Sequence, residues 1–211
     1  ADDQILKVLM NADLDEAVRH ILQSAFGYQG QKCSACSRLI VLKENAPKLL
    51  GRLKAAAESL SLGPPEDPKN FMGAVIEAGA RQRIERYAAI GREEGKLLVE
   101  CHPSEANGHT VPLRIFTDIR PEHRLAQEEI FGPILAVTEV EDFDKALQVA
   151  NSTRFALTGA VFSRSPANID KARREFRVGN LYINRGCTGA MVERHPFGGF
   201  KMSGIGSKAG G

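Results

Sequence analysis

The chain has 211 residues, 43% of them hydrophobic and 26% charged, which is the balance of an ordinary soluble globular protein with enough chain to bury one sizeable core. Its 28 basic and 26 acidic residues leave a net charge of +2 and are interspersed, as in residues 81–86, so charge gives no argument for nucleic acid or a membrane surface as a partner. No apolar run approaches the roughly 20 residues that span a bilayer. The acidic start, residues 1–4, has no secretory pattern, and the four cysteines (Cys33, Cys36, Cys101, Cys187) are too few for a disulfide framework, which points to a reducing compartment. The chain begins with Ala rather than Met, so a processed or excised piece is expected.

In chain order, residues 13–27 carry Leu14, Ala17, Val18, Ile21, Leu22 and Ala25 at helical spacing, with Asp13 as N-cap and Glu16 as its capping-box partner. Gly27 and Gly30 mark a turn. Residues 38–42, Arg-Leu-Ile-Val-Leu, read as a buried strand, and 46–60 as a helix. Residues 61–70 hold three prolines and predict a loop. The pattern predicts a helix over 71–91, with Ile76, Ile84, Tyr87 and Ala88 on its buried side, and then strands over 96–100 and 111–116 around a polar loop. A strand over 134–140, a helix from Asp142 to Ala150, a strand over 157–163, a helix over 166–176 and a strand over 179–184 follow, and the Gly-rich tail shows little periodicity. Strands alternating with helices predict one α/β layered domain without internal repeats.

Three stretches could carry chemistry. In Phe26-Gly-Tyr-Gln-Gly-Gln-Lys-Cys33 a cysteine follows a helix end in a Gly-rich turn and precedes a strand, a geometry that can present a thiol at a cleft floor with backbone N–H groups beside it. Lys32 could favour the thiolate, although on composition alone a buried structural cysteine is the simpler reading. Cys33 and Cys36 also form Cys-x-x-Cys, but this one follows a helix and enters a strand, the reverse of a redox dithiol, and no second Cys/His pair exists to complete a zinc site. In Gln127-Glu-Glu-Ile-Phe-Gly-Pro133 a carboxylate could accept ribose hydroxyls and the aromatic could pack on a nicotinamide ring, or the stretch is solvated charge before a turn. Asn184-Arg-Gly-Cys-Thr-Gly-Ala190 and Pro196-Phe-Gly-Gly-Phe-Lys-Met-Ser-Gly204 are rich in glycines that let backbone approach a ligand, and successive N–H groups there suit a carboxylate; a flexible loop is the bland alternative.

These stretches resemble, in order and spacing, three signatures of the aldehyde dehydrogenase family, and the resemblance extends over nearly the whole chain. Within that family, Cys33-Ser-Ala-Cys-Ser-Arg38 and Gly189-Ala190 before Phe197 are similar to the pyrroline-5-carboxylate (glutamate semialdehyde) dehydrogenases. The resemblance implies the layered α/β/α catalytic domain of that family, spanning residues 1–211. It implies Cys33 as nucleophile, with its backbone N–H in the oxyanion hole. Glu129 would stand at the ribose and Phe131 beside the nicotinamide of NAD. Ser34, Gly189 and Ala190 would hold the carboxylate and amine of the substrate, with Phe197 along its aliphatic chain.

The resemblance also marks what is not in the sequence. The Gly-rich fingerprint of a Rossmann-type cofactor domain is missing, as is the Glu-Leu-Gly-Gly-Lys motif of the general base, which in the family lies shortly before a segment like Asn11-Ala-Asp-Leu-Asp-Glu-Ala-Val18. The family's oxyanion asparagine also lies further upstream. The expectation is therefore an excised catalytic domain whose partner is the cofactor-binding domain of the same parent, and a parent that also carries proline dehydrogenase is one source for it. The parent would be homo-oligomeric and cytoplasmic, or in the mitochondrial matrix of a eukaryote. A small aldehyde would be its substrate, and no metal is implied.

Overall fold

In the computed structural model, residues 5–9, 13–105, 108–191 and 193–209 are described; the acidic start at residues 1–4 lies outside them. Seven strands form the main sheet: β1 (Ile5–Leu9), β2 (Cys36–Leu42), β5 (Lys96–Cys101), β6 (Leu113–Thr117), β7 (Ile134–Val140), β9 (Thr158–Phe162) and β10 (Asn180–Ile183). Their spatial order is β10-β9-β1-β2-β7-β6-β5. All neighbours are parallel except the edge pair β5–β6. Central parallel strands are covered on both faces and therefore read as near-continuous apolar runs, as Leu39-Ile-Val-Leu42 does.

The strand period of two decides which layer each side chain enters. Leu39 and Val41 of β2 and Leu135 and Val137 of β7 pack with α1 (Leu14–Phe26) and α2 (Ala46–Glu58). Ile40 and Leu42 point the other way, into α5 (Phe143–Asn151) and α6 (Pro166–Glu175). On that same second face Ile134 and Ala136 meet α3 (Ala78–Glu94) and the short α4 (Arg124–Gln127). The result is the expected three-layer α/β/α arrangement. Helix starts follow their caps: Asp13 accepts from the N–H groups of Asp15 and Glu16, Asp142 from Lys145, and Ser165 from Asn168. The Glu16 carboxylate lies against Arg19, at 2.7 Å, so the capping box is seen through its Asp13 half.

Several local expectations change. The helix predicted over 71–91 begins only at Ala78. Its first residues belong to β4 (Asn70–Met72), which pairs in parallel with β3 (Ser61–Leu62) inside the expected loop. Ile76, expected on a buried helix face, is 79% exposed, because its backbone N–H donates to Gln31 and holds the segment extended. The strand expected from Val111 starts at Leu113, just after Pro112, which has no N–H to give a ladder. The tail expected to lack periodicity supplies β11 (Phe197–Lys201) and β12 (Gly206–Ala209), which form a small antiparallel sheet with β8 (Phe155–Ala156). Among the described residues, no helix is long and apolar enough to cross a membrane.

At the sheet edge Arg114 is buried and bridges Glu85 of α3 (2.9 Å) and Glu100 of β5 (2.6 Å), tying a helix to two strands; Arg92 also holds Glu100, at 2.9 Å. Together the two arginines keep the Glu100 carboxyl below its usual range against the opposing effect of burial. Arg114→Met should cost about 2–3 kcal/mol in urea unfolding, since it strips charge-assisted bonds from a half-buried carboxylate. Glu85→Gln, at a carboxylate open to solvent, should cost less than about 1 kcal/mol.

Candidate active site

The site stands at the amino ends of the parallel strands. After α1 the chain enters a 3-10 turn, Gly27–Gly30, in which Tyr28 (φ 55°), Gln29 (φ 59°) and Gly30 (φ 65°) are successively left-handed. For Tyr28 and Gln29 this costs on the order of 1–2 kcal/mol each, so neighbours must hold them there. The Gln31 N–H donates to the Tyr28 carbonyl at 2.9 Å. The Gln29 amide, oriented to satisfy both its partners, donates to the same carbonyl and accepts from the Gly73 N–H at 3.1 Å. Gln31 accepts from the Ile76 N–H at 3.0 Å. Gly30 sits so tightly on the next turn that a Cβ there would lie 2.5 Å from the Gly132 carbonyl oxygen and 2.9 Å from that of Ala25.

This turn delivers Cys33 three residues ahead of β2. All four cysteines are thiols; Cys33 is half-buried, whereas Cys36, first residue of β2, is 1% exposed and its thiol faces the Arg38 carbonyl at 3.4 Å. The two residues of the Cys-x-x-Cys motif are thus differently presented. Among the described residues no three His, Cys, Asp or Glu side chains gather as a metal site.

Cys33 and Ser34 open onto a cavity of about 410 Å³, shared with Gly189, Ala190 and Phe197. Five residues singled out in the sequence, 164 positions apart at the extremes, therefore share one lining. Sequence reasoning missed Tyr182, Cys187, Met191 and His195 in the same wall. The motif held a signal for two of them, since Cys187 lies inside the Gly-rich stretch and His195 directly before Pro196. Tyr182 gave no signal beyond an aromatic in a strand.

The far wall is fastened to the sheet. Thr158 donates to the Cys187 carbonyl at 3.2 Å, and the Cys187 thiol faces the Ser34 carbonyl at 3.9 Å. Asn180 of β10 donates to the Pro196 carbonyl at 2.6 Å and accepts from Gly198, bracketing Phe197. The Met191 N–H donates to Nδ1 of His195 at 3.1 Å, closing the loop between them.

Glu129 and Phe131 line a separate, smaller recess behind the cysteine turn, together with Gly30, Cys36 and Gly132. Lys32 borders both recess and cavity, its ammonium 3.8 Å from the centre of the Tyr28 ring. The two adjacent carboxylates sit in different surroundings. Glu128 is taken up by a bidentate pair with Arg124 (2.9 and 3.0 Å) and a 2.7 Å bond from the Tyr87 hydroxyl. The Arg124 bonds hold the Glu128 carboxyl below its usual range, and burial with Glu128 pushes the Tyr87 phenol up to about 12. Glu129 is the one that faces the recess. Phe131 is left-handed at φ 54°, and Arg83 braces the turn through the Ile130 carbonyl at 3.1 Å.

Two cations, the buried Arg38 and the exposed Lys201, anchor the strands that follow the site residues. Arg38 of β2 donates to the Ala150 carbonyl at 3.4 Å, and Lys201 of β11 donates to those of Asn151 and Thr153 at 2.7 and 2.8 Å. Both meet the C-terminal end of α5, where unpaired carbonyls and the helix dipole favour positive charge. Burial lowers Arg38 to about 10, and burial followed by repulsion from Arg38 lowers Lys201.

This architecture and site belong to a known class: the family model of the aldehyde dehydrogenase family matches residues 4–211, and the chain belongs to that family. Among curated relatives, the chain is similar to a 1-pyrroline-5-carboxylate dehydrogenase of Anoxybacillus flavithermus, 50% identical over 200 residues, covering 95% of this chain and 39% of the relative. The chain thus spans about two fifths of the length of the curated relatives it matches. Among solved structures it is similar to proline utilization A of Bdellovibrio bacteriovorus (51% identity, TM-score 0.94, 99% of this chain, 22% of that one). It is also similar to a Thermus 1-pyrroline-5-carboxylate dehydrogenase with bound NAD (44% identity, TM-score 0.91, 96% of this chain, 39% of that one).

Gly30→Ala should cost at least about 2 kcal/mol, because the new methyl meets backbone on two sides in a left-handed conformation. Gly51→Ala, inside α2 where a Cβ meets nothing, should stabilise by about 0.5–1 kcal/mol. Urea unfolding of the two variants reads both signs.

Proposed function

We propose that these 211 residues are the thiol-bearing catalytic domain of an NAD-dependent dehydrogenase that oxidises glutamate semialdehyde, the open form of pyrroline-5-carboxylate, to glutamate. The observation that carries this reading is the single cavity in which Cys33, Ser34, Gly189, Ala190 and Phe197 converge. Its volume suits a small ligand. A carboxylate-bearing aldehyde matches that lining: backbone N–H groups at Gly189 and Ala190 and the Ser34 hydroxyl for the charged end, the Phe197 ring for the methylenes, and Cys33 at the other end for the carbonyl carbon. The names of the relatives point to the same substrate.

In this reading the Cys33 thiolate attacks the aldehyde carbon, and the C=O pair moves onto oxygen, toward the Cys33 backbone N–H. Bound NAD would supply the acceptor for the hydride that leaves the thiohemiacetal carbon as its C=O bond re-forms. The acyl group left on Cys33 is a thioester, which water cleaves to carboxylate and thiol. The recess behind the turn fits a role at the edge of that cofactor, since a carboxylate, Glu129, and an aromatic, Phe131, line it together. Glu129 would accept ribose hydroxyls and Phe131 would pack by the nicotinamide. The general base and the second oxyanion donor would come from the cofactor-binding part of a longer parent chain.

The complete enzyme built on these residues should oxidise glutamate semialdehyde with a kcat/KM well above that for hexanal, because each polar partner lost to a charged group costs about 1.5–3 kcal/mol. In it Cys33→Ala should abolish NADH formation and Cys36→Ala should keep most of it. Equal efficiency toward hexanal would overturn the substrate, and loss of activity only in Cys36→Ala would overturn the assignment of the thiol.

The 211 residues alone, mixed with NAD and glutamate semialdehyde, should make no measurable NADH. Lacking a general base removes about 10²–10⁴-fold, and lacking one oxyanion donor about 10²–10³-fold more. Measurable turnover, or micromolar NAD binding by calorimetry, would show that a complete site is already present.

A further inference from the structure

The donors proposed above for the substrate carboxylate are a hydroxyl and two backbone N–H groups, all formally neutral, whereas the group they would hold carries a full negative charge. The structure sets a cation directly behind them. A Cβ at Gly189 would overlap the Arg185 guanidinium, so the bare Cα of Gly189 lets that guanidinium lie against the wall of the cavity. Among the described residues no carboxylate pairs with Arg185; its guanidinium lies over the Tyr182 ring at 5.3 Å. That ring is a shared wall between the main cavity and a neighbouring one of about 280 Å³, which Arg185 lines. Gly189 and Tyr182 both line the main cavity, so Arg185 touches two residues of one wall.

We propose that Arg185 is a specificity-determining residue, which supplies the positive charge that selects an aldehyde bearing a carboxylate, acting through the Gly189 backbone rather than on the reacting carbon. This rests on the carboxylate-binding role assigned to Gly189. Arg185 is a suitable source because no carboxylate among the described residues pairs with its guanidinium, which is weakly hydrated and suited to long-range attraction of a carboxylate. It is solvent-exposed, so its contribution is screened by salt. A side chain at position 189 would have to displace the guanidinium from its place against the wall.

The test uses the complete enzyme with glutamate semialdehyde and with butanal, which has no carboxylate. R185M and R185Q should each raise KM for glutamate semialdehyde about two- to fivefold at low ionic strength, with kcat and the butanal reaction unchanged. The difference from wild type should shrink at about 0.5 M salt. R185K, which keeps the charge, should recover most of the wild-type KM. The proposal is overturned if both uncharged variants keep the wild-type KM for glutamate semialdehyde, or if they raise KM for butanal by the same factor, which would mark Arg185 as packing alone. A wild-type enzyme that oxidises butanal but not glutamate semialdehyde would instead overturn the substrate reading beneath it.

Discussion

The contact between Gly30 and the carbonyl of Gly132 is the constraint from which the site follows. Two turns from distant parts of the chain are pressed backbone to backbone with no room for a side chain. One turn leads to Cys33 and β2, the other to β7, and the two strands are neighbours in the sheet. Their amino ends therefore bring a thiol and the Glu129–Phe131 pair to opposite sides of one narrow ridge. The left-handed residues at positions 28, 29 and 131 are the cost of turning both chains so sharply. The bonds from Gly73, Ile76 and Arg83 offset it, and they explain why the 70–76 segment is extended instead of helical.

The opposite wall is assembled by different means. The chain after β10 doubles back over the sheet, held by Thr158, by Asn180 and by the Cys187 thiol against Ser34. Arg38 and Lys201 then fix β2 and β11 to one helix end, so the strand after the thiol and the strand that carries Phe197 share an anchor. A cavity defined in this way is a product of tertiary structure: its two walls lie more than 150 residues apart in the chain and meet only because β9 and β10 lie on the far side of β1 from β7.

What the sequence disclosed follows from this division. Strong local signals, such as Leu39-Ile-Val-Leu42, the helical spacing after Asp13 and the cap at Asp142, placed the layers correctly because period and capping are local properties. Cys33 was separable from Cys36 by its position ahead of a buried run, and the structure bears out their different exposure. The 71–77 segment was misread because helical spacing cannot register that Gln29 and Gln31, some 45 residues earlier, take its N–H groups. β11 and β12 were invisible for a similar reason, since a strand as poor in apolar residues as Phe197-Gly-Gly-Phe-Lys201 is paired through its backbone. Tyr182 and Arg185 escaped notice because their place at the cavity depends on the return of the Gly-rich chain.

The account turns on one atom, the sulfur of Cys33. Everything around it, from the strained turn to the wall proposed to bind a carboxylate, matters to function only if the acyl group is carried there. The most direct measurement is peptide mass mapping of the complete enzyme, acid-quenched during turnover of glutamate semialdehyde with NAD. The account predicts a glutamyl thioester on the peptide that contains Cys33, sensitive to hydroxylamine and missing when NAD is omitted. A stable acyl adduct on Cys36, Cys101 or Cys187, or turnover through a Cys33→Ala enzyme that forms none, would contradict it.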